Sequence, residues 1–336
     1  MYNMGMNAET NTPKTLQEAI KYFADYGNAH RFMASIRWPD GQVKCPTCGG
    51  CRVRYIATRR QWECREGHPH KRFSLKTGTV MEDSPLPLEK WLAAMWLEIN
   101  CKNSISSYEI HRELGCTQKT GWFLLHRVRF ALKQKSIEKM GRNGTPVEAD
   151  ETFIGGRSEN MHKHVRARKI KGSGQSGKTV VMGLLERHSG KKHSTVRTEV
   201  LPKHANQADM HAIIHRHVEP GAHLMTDEHA SYKQLYGEFE HHFINHAEKY
   251  AEGIVHTNGL ENFWSLFKRC IKGTHVSIDP QHLAAYLDSE AFRFNNRKTD
   301  NANRFRAVAH HAHGKRLTYK ALIGASEGYT QNQFGF

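Results

Sequence analysis

A carboxylate and an amine share one face of a predicted helix in the stretch 256–269, HTNGLENFWSLFKR. At about 100° per residue, Glu261 and Lys268 fall on a polar stripe two helical turns apart. The neighbouring apolar stripe consists of Leu260, Phe263, Trp264 and Phe267. We therefore expect a docked helix that turns its charged groups outward, with Thr257 or Asn258 as its cap. An ordinary surface ion pair is the alternative interpretation of this segment alone.

Two further carboxylates lie on separate predicted strands. Asp150 belongs to the segment 147–156, VEADETFIGG, in which Glu148 faces the same side and Glu151 the opposite side. Asp227 ends the short strand 223–227, HLMTD, and α/β sheets place their sites at the carboxyl ends of strands. A carboxylate on a core strand is costly unless it binds a cation, so these acids are candidates for a metal site.

Together with Glu261, the two aspartates make three carboxylates delivered by three different elements. Such a set suits two Mg²⁺ or Mn²⁺ ions in phosphoryl transfer, one activating the attacking oxygen and one stabilising the leaving oxygen. The ammonium group of Lys268 would then hold a neighbouring phosphate. Glu148 stays open as a ligand or as a partner of a ligand, because it shares the strand face of Asp150.

A chemically different cluster lies nearer the start of the chain. The segment 45–50, CPTCGG, has the C-x-x-C-G turn of a zinc knuckle, in which two thiolates point at one ion. Two short predicted strands, at 54–56 and 61–63, lead to a third cysteine and two histidines. The expected Zn²⁺ ligands are Cys45, Cys48, Cys64 and either His68 or His70, with Cys51 as a replacement. A module this short has little core of its own, so we expect zinc to hold it together.

Excess positive charge limits the class of partner. The 336 residues include 49 Lys and Arg against 33 Asp and Glu, a formal net charge of +16, and 24 histidines. Such a surface attracts a polyanion, and double-stranded DNA is the first to consider. We expect no membrane partner, because no apolar run approaches the roughly 18 residues of a spanning helix. Seven cysteines, unevenly spread, and a start without a secretory signal favour a cytoplasmic, nucleoid-associated protein.

Helical patterns organise the first half of the chain. One helix is expected over about 15–35 and a core-facing helix within 84–99, followed by helices at 104–114 and from 117 onward. The last two are joined by a glycine turn and match a helix-turn-helix, with a plain helical hairpin as the alternative. The second of them carries Lys119, His126, Arg127, Arg129 and Lys133. We expect this basic helix to contact DNA.

Strands and helices alternate in the second half. A linker at 141–146 precedes strands at 147–156, 179–186, 194–200 and 223–227, with helices at 209–217, 256–269 and 281–296. The basic stretch 157–178 is expected to be a loop that contacts phosphate. The order strand, hairpin strands, helix, strand, helix is that of a ribonuclease-H-like sheet.

Several segments resemble, in chain order, the motifs of bacterial insertion-sequence transposases of the DDE type. They are VEADETFIGG, TDEHASY, HTNGLENFWSLFKR followed by GTH, and YLDSEAFRFNNR, preceded in the front half by CPTCGG, FSLKTGTV and LPLEKW. The resemblance covers roughly residues 15–297 and implies Asp150, Asp227 and Glu261 as metal ligands with Lys268 as the accompanying lysine. Some relatives use Asn as the third catalytic residue, which keeps Asn258 as a candidate ligand or substrate contact.

The resemblance implies a transposase that binds the terminal inverted repeats of its element, nicks the DNA to leave a 3′-hydroxyl, and joins that hydroxyl to target DNA as a homo-oligomer. The alternatives are a metal-dependent nuclease that does not join, and a DNA-binding regulator without catalysis. The expected fold is a multidomain combination of α+β and α/β parts. The expected domains are a helical segment at 1–40, a zinc ribbon at 41–80, a helix-turn-helix region at 81–140, a ribonuclease-H-like catalytic domain with a mixed sheet at 146–300, and a C-terminal tail at 301–336.

Overall fold

The computed structural model describes residues 12–133, 138–156, 162–164, 177–188, 193–202, 206–227, 232, 237–244 and 255–325. The chain divides into two compact units, residues 1–133 with 299–336 and residues 134–298. Most of the predicted basic loop at 157–178 lies outside the described residues. Among the helices that are described, none is both long and apolar enough to cross a membrane.

The first unit opens with two helices and a small sheet. Helix α1 spans Leu16–Ala24 and α2 spans Tyr26–Arg37, so the prediction of one continuous helix over 15–35 was wrong. The break is at Asp25, whose extended backbone lets its carboxylate accept the N–H of Asn28 at 2.8 Å and cap α2. Strands β1 (Val53–Ile56), β2 (Gln61–Cys64) and β3 (Arg72–Phe73) form an antiparallel sheet in that order.

Three helices of the first unit follow the small sheet. They are α3 (Leu88–Asn100), α4 (Ser107–Leu114) and α5 (Gln118–Leu132). Helix α4 ends at Gly115, whose φ of 57° lies in the left-handed region, and the side chain of Thr117 caps α5. The predicted pair of helices joined by a glycine turn is therefore present.

The basic side chains of α5 are mostly internal. His126 and Arg129 are each 1% exposed and Arg127 is 5% exposed. The guanidinium of Arg129 forms a buried ion pair with Glu98, with Nε 2.9 Å from Oε1. That of Arg127 lies over the Trp91 ring, 5.1 Å from its centroid. The prediction that these three residues contact DNA was wrong, because their side chains serve the core of the unit, whereas Lys119 is exposed.

The second unit is built on a mixed five-stranded sheet with helices on both faces. In chain order its elements are β4 (Val147–Ile154), β5 (Thr179–Glu186), β6 (Thr195–Val200), α6 (Gln207–His217), β7 (His223–Asp227), β8 (Glu240–Ile244), α7 (Asn258–Cys270) and α8 (Leu283–Asn295). The strand order is β6-β5-β4-β7-β8. Pairing is antiparallel from β6 to β4 and parallel from β4 to β8. The predicted mixed sheet is confirmed, and β8 is a strand that the sequence reading did not contain.

Each face of this sheet has its own apolar core. On one face, Ala149 and Leu184 pack with Ile214 of α6. On the other, Val181 and Leu185 pack with the apolar stripe of α7 and with Leu287 of α8. Helix α7 is therefore held on the sheet face that Glu148 and Asp150 share, since alternate residues of β4 point to opposite sides.

The described part of the segment predicted as a C-terminal tail, residues 301–325, folds into the first unit. It forms α9 (Asn301–His311) and α10 (Tyr319–Leu322). Phe305 of α9 is completely buried and stacks on Phe32 of α2, with centroids 5.3 Å apart. Phe23 and Trp96 complete the aromatic cluster around it. The segment is thus part of the core of the first unit.

Candidate active site and metal centres

Helix α7 carries the predicted carboxylate and amine on its exposed side, and its apolar stripe is buried on the other side. Leu260, Phe263, Trp264 and Phe267 are between 0% and 4% exposed. Glu261 and Lys268 are exposed, so the predicted division of the helix is confirmed. The close approach of α7 to the sheet depends on Gly183, where an added Cβ would lie 2.5 Å from Trp264 Cζ2 and 2.9 Å from Leu260 Cδ2.

Asp150 and Asp227 occupy equivalent positions on neighbouring parallel strands. The register pairs Val147 with Leu224 and Glu148 with Met225, and the same offset continued by two residues sets Asp150 beside Asp227. Paired residues of parallel strands point to the same side of the sheet. Burial, the charge of Glu151 and the charge of Asp227 together raise the pKa of Asp150 to about 7.

Asp150, but not Asp227, lines a cavity of about 530 Å³ that has a cationic side. Asp150, Glu151 and Glu261 line it together with Lys268, Arg269 and Lys272. The three cations follow Glu261 along α7 and its short π-helical continuation, Ile271–His275. Carboxylates beside a row of cations suit a divalent ion bound next to the phosphates of a polyanion.

The cysteine cluster of the first unit forms a separate centre. One ligand atom from each of Cys45, Cys48, Cys64 and His68 lies within 4.8 Å of the others. Cys45 Sγ is 3.4 Å from His68 Nε2, and Cys48 Sγ is 3.7 Å from Cys64 Sγ. Three thiols and one imidazole are a donor set that fits tetrahedral zinc. His70 and Cys51, the other two candidates, are exposed and lie outside this cluster.

Comparison with known proteins links both centres to one family. Residues 143–295 match the ISXO2-like transposase domain, and residues 27–68 match the transposase zinc-ribbon domain. These two ranges together include more than half of the chain. The chain belongs to this insertion-sequence transposase family.

A relative of this transposase-family chain comes from Halobacterium salinarum. It is an uncharacterized protein in transposable element ISH50, 28% identical over 281 residues, which are 80% of this chain and 90% of the relative. No solved structure matches the chain.

Glu148, the second acid on the inner face of β4, is fully engaged by other groups. Its side chain is 1% exposed. One carboxylate oxygen accepts a hydrogen bond from Arg187 Nε at 2.6 Å, and the other accepts the backbone N–H of Leu260 at 2.8 Å. The imidazole Nδ1 of His256 lies 3.6 Å from the first oxygen. Glu148 therefore accepts a backbone hydrogen bond from the first turn of α7 and does not line the cavity.

The hydrogen bond from the Leu260 N–H to Glu148 takes the place of the expected side-chain cap of α7. Thr257 occupies the capping position but its side chain makes no capping hydrogen bond. Asn258 begins the helix, is exposed and does not line the cavity, so its role as ligand or substrate contact stays a prediction. A local capping rule could not identify Glu148, because the acceptor is 112 residues away in the chain.

The sequence analysis did not predict two sets of contacts at the site, those of Arg187 and that of Trp264. Arg187 directly follows β5 and donates to both Glu148 and His256. The indole of Trp264 was assigned only to the apolar stripe, yet its Nε1 donates a hydrogen bond to Asp150 Oδ2 at 3.0 Å. A Trp on the buried stripe facing a strand that contains carboxylates was the available signal, since a buried indole N–H needs an acceptor.

Proposed function

We propose that the protein is a DNA transposase that binds the ends of an insertion sequence and catalyses metal-dependent strand cleavage and transfer. The observation that carries the proposal is the placement of Asp150 beside Asp227 on adjoining parallel strands, with Glu261 on the cavity that Asp150 lines. A five-stranded sheet with three antiparallel and two further parallel strands, in the order β6-β5-β4-β7-β8, supports a ribonuclease-H-like catalytic unit.

Asp150, Asp227 and Glu261 are the proposed ligands of Mg²⁺ or Mn²⁺. Oxygen donors from carboxylates are those that these ions prefer. Asp150 would favour a nearby divalent cation, because burial and the charges of Glu151 and Asp227 raise its pKa and a cation would lower it. When bound, the ions would supply activation of the attacking oxygen and stabilisation of the leaving oxygen in phosphoryl transfer.

Lys268 and its cationic neighbours are the proposed phosphate contacts. Lys268, Arg269 and Lys272 line the same cavity as Asp150 and Glu261 and are exposed. Ammonium and guanidinium groups at these positions would hold the DNA backbone in register with the carboxylates and neutralise its charge. The cysteine cluster is the proposed Zn²⁺ site, held by Cys45, Cys48, Cys64 and His68, and the transposase is proposed to act as a homo-oligomer on DNA.

The test is a cleavage and joining assay with labelled DNA from the borders of the element. Asp150→Ala, Asp227→Ala and Glu261→Ala should each lose both products at least a hundredfold in Mg²⁺ while binding of the end DNA persists. Lys268→Ala should lose less, because it positions phosphate. Glu219→Ala, an acid of the same unit that does not line the cavity, is the matched control.

Other outcomes would select the alternatives. Cleavage of end DNA without joined products would indicate a nuclease. Sequence-preferring binding with no cleavage in either Mg²⁺ or Mn²⁺ would indicate a regulator. Activity of Glu261→Gln together with inactivity of Asn258→Ala would move the third ligand to Asn258.

A further inference from the structure

Helix α7 is attached to the sheet by two hydrogen bonds that involve Glu148 and Trp264, side chains that the metal-site assignment does not use. We propose that Glu148 and Trp264 are positioning residues that fix α7 against β4 and thereby set the separation of Asp150 and Glu261. This inference rests on the proposed function, because Asp150 and Glu261 are metal ligands only if that function holds.

The first attachment is at the start of the helix. Glu148 accepts the backbone N–H of Leu260, one residue before Glu261, at 2.8 Å. The same carboxylate is held by Arg187, with Nε 2.6 Å from Oε1, so its direction is fixed from the neighbouring strand end. A shift of Glu148 would therefore move the first turn of α7, where Glu261 projects.

The second attachment lies one turn further along the helix. Trp264 is 4% exposed, and its Nε1 donates to Asp150 Oδ2 at 3.0 Å. This bond occupies Oδ2 of Asp150, the proposed ligand. Because the carboxylate is planar, holding Oδ2 also limits the directions in which the other oxygen can point. Loss of the indole N–H would let the Asp150 side chain rotate while its backbone stays in the sheet.

Two glycines make both attachments sterically feasible. An added Cβ at Gly259 would lie 2.8 and 2.9 Å from the two carboxylate oxygens of Glu148. An added Cβ at Gly183, which pairs with Asp150 in the sheet register, would lie 2.5 Å from the Trp264 ring. Both distances are shorter than a real Cβ contact, so the helix could not sit at its present depth with a larger residue at either position.

The experiment compares Trp264→Phe and Glu148→Gln with wild type in two measurements. Mn²⁺ binding is titrated by electron paramagnetic resonance without DNA, and Mg²⁺ is titrated in the cleavage assay. We expect each variant to need about tenfold more metal for half-saturation in both measurements, because the ligands are less well aligned. Phe267→Leu is the matched control: it removes buried ring atoms from the same helix but leaves both hydrogen bonds, and it should keep the wild-type metal requirement.

Several results would overturn the inference. Trp264→Phe and Glu148→Gln with wild-type metal requirements would refute it, and so would an equal shift in Phe267→Leu, which would indicate general loosening of the unit. A wild-type protein that neither binds Mn²⁺ nor cleaves DNA would instead refute the proposed function, so the two failures are distinguishable.

A second, independent cluster lies where β7 and β8 begin. We propose that His223, Glu240 and His242 bind one transition-metal ion of the Zn²⁺ class. One donor atom from each residue lies within 4.8 Å of the others. His223 and Glu240 are direct partners in the parallel register, with Nδ1 2.8 Å from Oε2, and the His223 and His242 rings are nearly parallel with centroids 6.0 Å apart.

The donor chemistry separates this site from the proposed catalytic one. Two imidazoles and one carboxylate suit Zn²⁺, Co²⁺ or Ni²⁺, whereas Mg²⁺ prefers oxygen donors only. His223 and Asp227 belong to the same strand, and four residues of strand span about 13 Å. An ion at this site would cross-link β8, the edge strand of the sheet, to β7, whose last residue is Asp227.

The test measures Zn²⁺ uptake and thermal stability of the full chain. Wild type should take up one more tightly held Zn²⁺ than His242→Ala, and saturating Zn²⁺ should raise the melting temperature of wild type more than that of the variant. His215→Ala is the matched control, because His215 also lies beside one carboxylate, that of Glu238, but outside the three-residue cluster. Equal uptake by wild type and His242→Ala would overturn the proposal and leave His223 and Glu240 as an ordinary ion pair. Mg²⁺ should change neither quantity through this site.

Discussion

Asp150 combines a proposed catalytic role with an energetic cost, so replacing it should stabilise the protein. Its pKa is raised to about 7 from an ordinary value of 3.8, first by burial and then by the charges of Glu151 and Asp227. The folded state therefore retains the proton at pH values where the unfolded chain has released it. Stability falls as pH rises from about 4 to about 7, and the loss is complete above that range.

The size of the effect follows from the pKa difference. About three pKa units at about 1.4 kcal/mol each give a cost of at most about 4 kcal/mol at pH 8, and about 2 kcal/mol at pH 5. Asp150→Asn removes the charge and keeps an oxygen that can accept from Trp264. We expect the free energy of unfolding of this variant to exceed that of wild type by more at pH 8 than at pH 5, while Mg²⁺-dependent cleavage is lost.

Urea unfolding followed by circular dichroism measures this difference. Wild type and Asp150→Asn are compared at pH 5 and pH 8 without Mg²⁺, and wild type is repeated with Mg²⁺, which should reduce the gap. Glu219→Gln is the control, because it alters only a partly exposed ion pair with Arg142 and should change stability by under about 1 kcal/mol. An Asp150→Asn variant that is no more stable than wild type at pH 8, or a gap independent of pH, would refute the reasoning.

Three further predictions concern the first unit. Cys48→Ser should lose the bound zinc found by metal analysis, whereas Cys51→Ser should keep it; zinc retained in Cys48→Ser would remove that thiol from the ligand set. Arg129→Met should lower the free energy of unfolding by about 3–5 kcal/mol, because it removes the guanidinium that compensates the buried charge of Glu98; urea unfolding with a loss below 1 kcal/mol would contradict this. Phe305→Ala should cost about 3–5 kcal/mol in the same measurement, and a neutral result would mean that the C-terminal helices do not support the unit.

The elements that carry the proposed ligands were predictable because each has a strong local pattern. The segments that became β5 and β7 are apolar enough to require burial, β4 combines its acids with apolar residues, and the two faces of α7 differ clearly in polarity. The side-by-side placement of Asp150 and Asp227 was not available from those patterns. It follows from the pairing of β4 with β7, which joins residues 77 positions apart in the chain.

The elements that were missed depend on partners distant in sequence. Strand β8 has the sequence EHHFI, with no apolar alternation of its own, and becomes a strand because β7 offers a free edge for parallel pairing. Helix α9 contains a single large aromatic residue, Phe305. That residue packs against aromatic rings of α2 and α3, and this packing holds the helix in place. Local periodicity shows neither the strand that β8 pairs with nor the rings that Phe305 packs against.

The net charge of the chain also cannot show, from local sequence, which basic side chains are exposed. A net charge of +16 predicts a polyanionic partner, but it does not say which cations would face it. On α5, five basic residues predicted a contact with DNA, yet Arg129 is paired with Glu98, 31 residues earlier, inside the core. On α7 the opposite holds: Lys268 and Arg269 lie in the last turn, where the helix dipole already favours cations, and they remain exposed beside the acids. Among the described residues that line the cavity, Lys268 and Arg269 are therefore on the helix that also carries Glu261.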